Sequence, residues 1–160
     1  MALPARLTTW RLETSKHFAT WQTAEGAFLF GGRWSSPNRR VLYTSLDPST
    51  AILEVAVHKG LRTLDAVAHT LIQIEVAPIK RVFKIDPASV PNAHWLRPGT
   101  VCKDQQLFGD ALLKAHGLVL IPSVVSTHSL NLLIDVDVAK SQFKLKSSEA
   151  FALSPSLTRV

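Results

Sequence analysis

VLYTSLDPSTAILEVAVHKG, residues 41–60, is the stretch on which the fold turns. Its first residues are short, apolar and β-prone, and the spacing predicts a strand over Arg40 to Thr44. Asp47 then offers a side-chain oxygen to cap a helix. Pro48 suits the first helical position, and Gly60 can close the far end. Between them, STAILEVAVHK has the apolar density of a helix packed on a core. On that helix Thr50, Glu54 and His58 share one stripe, while Ile52, Val55 and Ala56 point elsewhere. The stripe is either a plain wet face or the wet wall of a cleft, and periodicity leaves both open.

Outward from this unit, a second helix is expected over Gln105 to His116, stopped by Gly117. Leu107, Phe108, Ala111, Leu112 and Ala115 fall at helical spacing and are expected to face the core. Thr70 to Val76 alternates as a strand does, with Ile72, Ile74 and Val76 on one face and Gln73 and Glu75 on the other. Further strands are expected at Arg81 to Ile85, Leu118 to Ile121, Leu130 to Ile134 and Phe143 to Lys146. Asp86 to Thr100, with Pro87, Pro91, Pro98 and Gly99, reads as a long loop. The order lacks the strict alternation of a doubly wound sheet and predicts a mixed α+β fold. No repeat or linker divides the chain, so residues 1–160 are taken as one domain.

Composition narrows the function classes. Hydrophobic residues make up 46% and charged residues 19%, which fits a folded globular chain. No apolar run is long enough to span a membrane, and the first residues lack a signal-peptide core, so a cytoplasmic protein is expected. A single cysteine, Cys102, excludes an internal disulfide, and the six histidines show no metal-binding spacing. The net charge of +6 favours an anionic ligand, a nucleic acid or an acidic protein partner. Basic residues are scattered and no nucleic-acid motif is present, which weighs against direct nucleic-acid binding.

Four places could carry chemistry. Gly31-Gly32-Arg33-Trp34 pairs a backbone that can approach a ligand closely with a planar cation suited to a pyrophosphate. The same segment also reads as a turn with a solvated arginine. Tyr43, the single tyrosine, sits at a strand end and could stack on a flat ring or simply pack. Glu54 could hold a ribose hydroxyl and stabilise positive charge developing at the sugar carbon. Ser123, in Ile121-Pro122-Ser123 and followed by Asn131, is either a hydrogen-bonding residue or a turn residue. It lacks the G-x-S-x-G elbow of a hydrolase nucleophile.

Taken in order, Trp10-Arg11, GGRW at 31–34, VLYTS at 41–45, A-x-x-E at 51–54 with His58, QLFGDALL at 106–113, IPSVV at 121–125 and NLLID at 131–135 resemble the RES domain. That family is named for its Arg, Glu and Ser. The resemblance implies a split β-sheet core with flanking helices, related to ADP-ribosyltransferase toxins, with NAD⁺ in a cleft between two small sheets. It implies the toxin half of a toxin–antitoxin pair, partnered by an Xre-type helix-turn-helix antitoxin that alone would contact DNA. It implies NAD⁺ breakdown, by hydrolysis or by phosphorolysis with inorganic phosphate as co-substrate, and no bound cofactor. On this reading Arg33, Tyr43, Glu54 and Ser123 are catalytic, while Arg11, Gly32 and Asn131 bind substrate. A homo-oligomer stays open, as does a mono-ADP-ribosyltransferase acting on a macromolecule or a non-enzymatic binding module. Ile52 replaces the second acidic or amide residue that many such transferases place two residues before the glutamate. The chain departs from the family at Ser35-Ser36-Pro37 and lacks an Asn-Pro-x-His-Pro run after Asn131.

Overall fold

The computed structural model describes residues 5–96 and 101–153. Along it run β1 (Leu7–Thr14), α1 (Glu25–Phe30), β2 (Val41–Ser45), α2 (Pro48–Lys59), α3 (Leu61–Ala66) and β3 (His69–Val76). Then come β4 (Phe83–Lys84), α4 (Lys103–His116), β5 (Leu118–Pro122), β6 (Leu130–Asp135), α5 (Val136–Ala139) and β7 (Phe143–Phe151). Helix α2 begins where its cap demands. The Asp47 carboxylate accepts the Thr50 amide at 2.8 Å and the Thr50 hydroxyl at 2.7 Å. Gly60, at φ 86°, ends the helix in a conformation that side chains other than glycine's resist.

The strands form a seven-stranded sheet in the order β4-β5-β6-β2-β1-β3-β7, antiparallel except between β4 and β5. This is the expected mixed α+β class. The split is real but incomplete. β1 runs alongside β3 through eight residue pairs, from Leu7↔Val76 to Thr14↔His69, whereas it meets β2 at the single pair Trp10↔Ser45. The two halves are therefore one sheet forked at that pair, where two separate small sheets were expected.

Strand alternation sorts the core by face. On the back, Leu42, Ile72, Ile74, Val76, Leu118, Leu132 and Ile134 pack with Trp21 into one cluster spanning both halves. Each such fully buried side chain contributes about 1.5–3 kcal/mol. The front is divided in two. Over β2, β6 and β5, Val41, Leu133, Val119 and Ile121 pack against Trp34, Trp95 and Leu113 of α4. Over β1 and β3, Leu12 and Leu71 pack against Leu64 of α3 and Ile52, Val55 and Ala56 of α2.

Several expectations need correction. Helix α4 is rotated from its predicted orientation. Phe108 and Leu112 pack against the core as expected, but Leu107 is 53% exposed and Ala111 and Ala115 are also exposed, while Gln105, Gly109 and Leu113 are buried. The reason is Gly109, whose missing side chain lets the helix backbone lie against the Trp34 carbonyl. Strand β1 has no counterpart among the predicted strands, because TTWR interrupts its apolar pattern. The segment Arg81 to Ile85 keeps only two strand residues, since Ile79–Arg81 closes a tight turn. β7 extends past Lys146 to Phe151 because it is an edge strand, exposed over most of its length, and needs no apolar run. The predicted loop at 86–100 holds a short turn at Pro87–Ser89, and its residues 97–100 lie outside the described residues.

Candidate active site

Trp10 and Ser45 are directly opposed, so the residues alternating with them share the front face: Tyr43 and Ser45 on β2, and Trp10 and Leu12 on β1. Register carries this across the sheet. Asn131 lies opposite both Ser45 and Ile121, and Leu133 lies opposite Tyr43. Ser123 follows the end of β5, two residues beyond Ile121, and is fully buried. At this end of the sheet the front face changes from apolar to polar, and α2 lays Glu54 over it.

The Glu54 carboxylate is the hub. Its Oε1 accepts the Ser123 hydroxyl at 2.8 Å and the Asn131 side-chain amide at 2.6 Å. Its Oε2 lies 3.3 Å from His58 Nε2, one helical turn away. Ser45 donates to Asn131 Oδ1 at 2.7 Å and so orients that amide toward Glu54. The Ser123 hydroxyl also accepts the amides of Val125 and Ser126, both at 3.2 Å, which locks the turn after β5. Burial alone would raise the Glu54 pKa. The bonds from His58, Asn131 and Ser123 outweigh it and hold the carboxyl below its ordinary value. The result is a partly buried, ionised carboxylate with a fixed orientation.

Arg33 and Tyr43 form a second group. The Tyr43 hydroxyl accepts the Trp34 amide at 3.1 Å and shares a hydrogen bond with Ser35 Oγ at 2.8 Å. A Cβ on Gly32 would stand 2.3 Å from that hydroxyl, so glycine lets the loop close on the phenol's hydroxyl end. Gly32 thus serves the loop's own packing. Arg33 donates to the Trp95 carbonyl at 3.3 Å, and Trp34 and Trp95 meet edge to face at 5.4 Å. Tyr43 and Ser45 are two residues apart on one strand face, about 7 Å along it. That short step connects the Arg33–Tyr43 group to the Glu54 group.

Arg11 is not brought to the cluster. Trp10 and Leu12 face the front, so Arg11 lies on the reverse side. Its guanidinium bonds Glu13 at 2.9 Å and reaches the Tyr43 carbonyl oxygen at 3.1 Å. There it bridges the fork where β1 has parted from β2. His58 and Ser45 were absent from the sequence-derived site. The signal for His58 was its place on the Glu54 stripe, and for Ser45 its position two residues beyond Tyr43.

Tyr43 gives a direct check on this arrangement. Burial pushes its phenol up to about 12 from 10.0, against the lowering effect of its Ser35 and Trp34 hydrogen bonds. Because it is the single tyrosine, tyrosinate absorbance reports it alone. The titration midpoint is expected near 12. The unfolded chain loses this proton first, so stability falls as pH rises from the ordinary phenol value toward the folded one. A midpoint at the ordinary value would mean that the loop does not bury the hydroxyl.

The site thus sets a fixed, ionised carboxylate of α2 and an arginine-bearing loop over one face of a forked α+β sheet. The chain belongs to the RES domain family, which matches residues 8–154. It is 26% identical over 127 residues to Toxin Res of Photorhabdus laumondii subsp. laumondii, covering 79% of this chain and 80% of that protein. Its fold is similar to one in the crystal structure of the M. tuberculosis MbcT-MbcA toxin-antitoxin complex. That match has a TM-score of 0.75 at 20% identity and covers 95% of this chain and 86% of the other.

Proposed function

We propose that this protein is the toxin of a toxin–antitoxin pair and depletes NAD⁺ by cleaving the nicotinamide–ribose bond. The observation that carries the reading is Glu54, a carboxylate held ionised and fixed by Ser123, Asn131 and His58 over the sheet face that Tyr43 and Ser45 share. Family membership and the toxin relatives support it. In this mechanism Arg33 holds the pyrophosphate, and Tyr43, its hydroxyl end held by the loop, offers the part of its ring left uncovered to the nicotinamide. The carboxylate binds a hydroxyl of the nicotinamide ribose and stabilises the oxocarbenium-like charge as the C–N bond breaks. The bonding pair leaves with nicotinamide and neutralises its ring charge, so no acid need protonate the leaving group. Water or inorganic phosphate then attacks the same carbon. Ser123 and Asn131 act through Glu54, holding its orientation.

Transfer to a protein acceptor is the less favoured reading. Ile52, two residues before Glu54, packs with Leu12, Leu64 and Leu71 and offers no group to orient an acceptor. The partner in this reading is an Xre-type antitoxin, whose acidic surfaces would complement the +6 charge of the toxin. No helix among the described residues is long and apolar enough to cross a membrane.

Purified protein is expected to release nicotinamide from NAD⁺. Running the reaction with and without phosphate identifies the acceptor, since phosphorolysis yields a phosphorylated ADP-ribose and hydrolysis yields ADP-ribose. Absence of nicotinamide release would sink the proposal. Durable transfer of label from NAD⁺ to a lysate protein would turn it toward the transferase.

A further inference from the structure

The QLFGD segment of α4 lies outside the Glu54 cluster, yet three of its residues are spent on the Arg33 loop. Gln106 Nε2 donates to two carbonyls at once, Gly32 O at 2.8 Å and Ser35 O at 3.1 Å. These residues flank Arg33-Trp34 and are themselves paired, with the Gly32 amide donating to Ser35 O at 2.8 Å. One turn later, Asp110 accepts the Ser36 amide at 3.0 Å. Gly109, between them, lets α4 approach the Trp34 carbonyl. Positions 106, 109 and 110 share one helical face, and that face meets residues 32–36. On the strand side the Tyr43 hydroxyl also anchors the loop, as do the Arg33 and Trp34 contacts with Trp95.

We propose that Gln106, Gly109 and Asp110 form a rack that sets the height and direction of the Arg33 loop, and that Gln106 is a positioning residue for substrate binding. The proposal rests on the NAD⁺ reading for its substrate. The amide of Gln106 suits the task because it is neutral and carries two N–H groups, one for each carbonyl flanking Arg33. Remove those donors and the two strands of the tight hairpin can spread, which carries the guanidinium away from an anion held against it. Displacements of about an ångström at a binding group cost on the order of tenfold to a hundredfold.

The test compares Gln106→Met, which keeps the side chain's length without its donors, with Leu107→Ala, a change at an exposed neighbour. Two readouts are taken on each folded protein: hydrogen–deuterium exchange across residues 31–36, and the kinetics of nicotinamide release from NAD⁺. Gln106→Met is expected to speed exchange in that segment and raise KM by about tenfold, with kcat within about threefold of wild type. Leu107→Ala is expected to change neither. Unchanged exchange in Gln106→Met overturns the rack. Faster exchange with unchanged KM overturns the role in substrate binding. If the wild-type protein releases no nicotinamide, the NAD⁺ reading fails by itself, and the exchange comparison still decides whether the rack holds the loop.

Discussion

Replacing Glu54 with glutamine is expected to slow nicotinamide release by about a hundredfold to a thousandfold, with the fold intact. The substitution keeps the shape and an acceptor oxygen for Ser123 and Asn131, which now bond the carboxylate at 2.8 and 2.6 Å. What it removes is the negative charge, and that is the feature a cationic sugar centre needs. The pH dependence should carry the same signature. The Glu54 carboxyl titrates below its ordinary value of 4.5, so wild-type activity should persist as pH falls through the usual carboxylate range and drop only below it. The same group stabilises the fold wherever the unfolded chain's carboxyl is ionised, and this contribution is lost as pH falls through the folded value. Glu54→Gln should remove that acid dependence. Rates that match wild type would mean that Glu54 is not the catalytic carboxylate.

The second large effect is on stability. Gly109→Ala should destabilise the protein by about 3 kcal/mol, a fall of roughly 10 °C in melting temperature for a chain of this size. The added Cβ would stand 1.9 Å from the Trp34 carbonyl oxygen, the tightest such approach among the described glycines. Trp34 is buried against Trp95 and cannot yield cheaply. Helix α4 must therefore back away, breaking the bonds from Gln106 and Asp110 to the loop. Gly26→Ala is the matched control. It lies in α1 with no atom within 4 Å of the added carbon, so the change should stabilise by about 0.5 kcal/mol through helix propensity. Denaturant midpoints for the two variants that move together would show that α4 does not pack as described.

Much of the scaffold was legible from local chemistry. The Asp47 cap, Pro48 and Gly60 delimit α2 from within the helix itself, because a capping bond spans only three residues. The alternation in β3 marks its buried face, since side chains on a strand reverse direction at each residue. Helix α4 shows where that logic ends. Its apolar residues suggested one face, but Gly109, Gln106 and Asp110 set the orientation through contacts with a loop more than seventy residues away. Propensity carries no record of such a partner.

The site follows the same division. The residue types at Arg33, Tyr43, Glu54, Ser123 and Asn131 and their order along the chain were enough to suggest an anion clamp, an aromatic ring and a carboxylate. The sequence could not say that Ser123 and Asn131, 69 and 77 residues from Glu54, converge on one of its oxygens. Nor could it place Arg11 behind the sheet, bracing the Tyr43 carbonyl where the fork opens. Caps, periodicities and composition are properties of neighbours in sequence, so the chain alone marks its two long helices, most of its strands and its α+β class, but not the short helices α1, α3 and α5. Strand register and helix rotation depend on which distant surfaces bury together. The tertiary structure therefore decides which of the candidate residues share a face, and with that the orientation of the carboxylate on which the proposed chemistry depends.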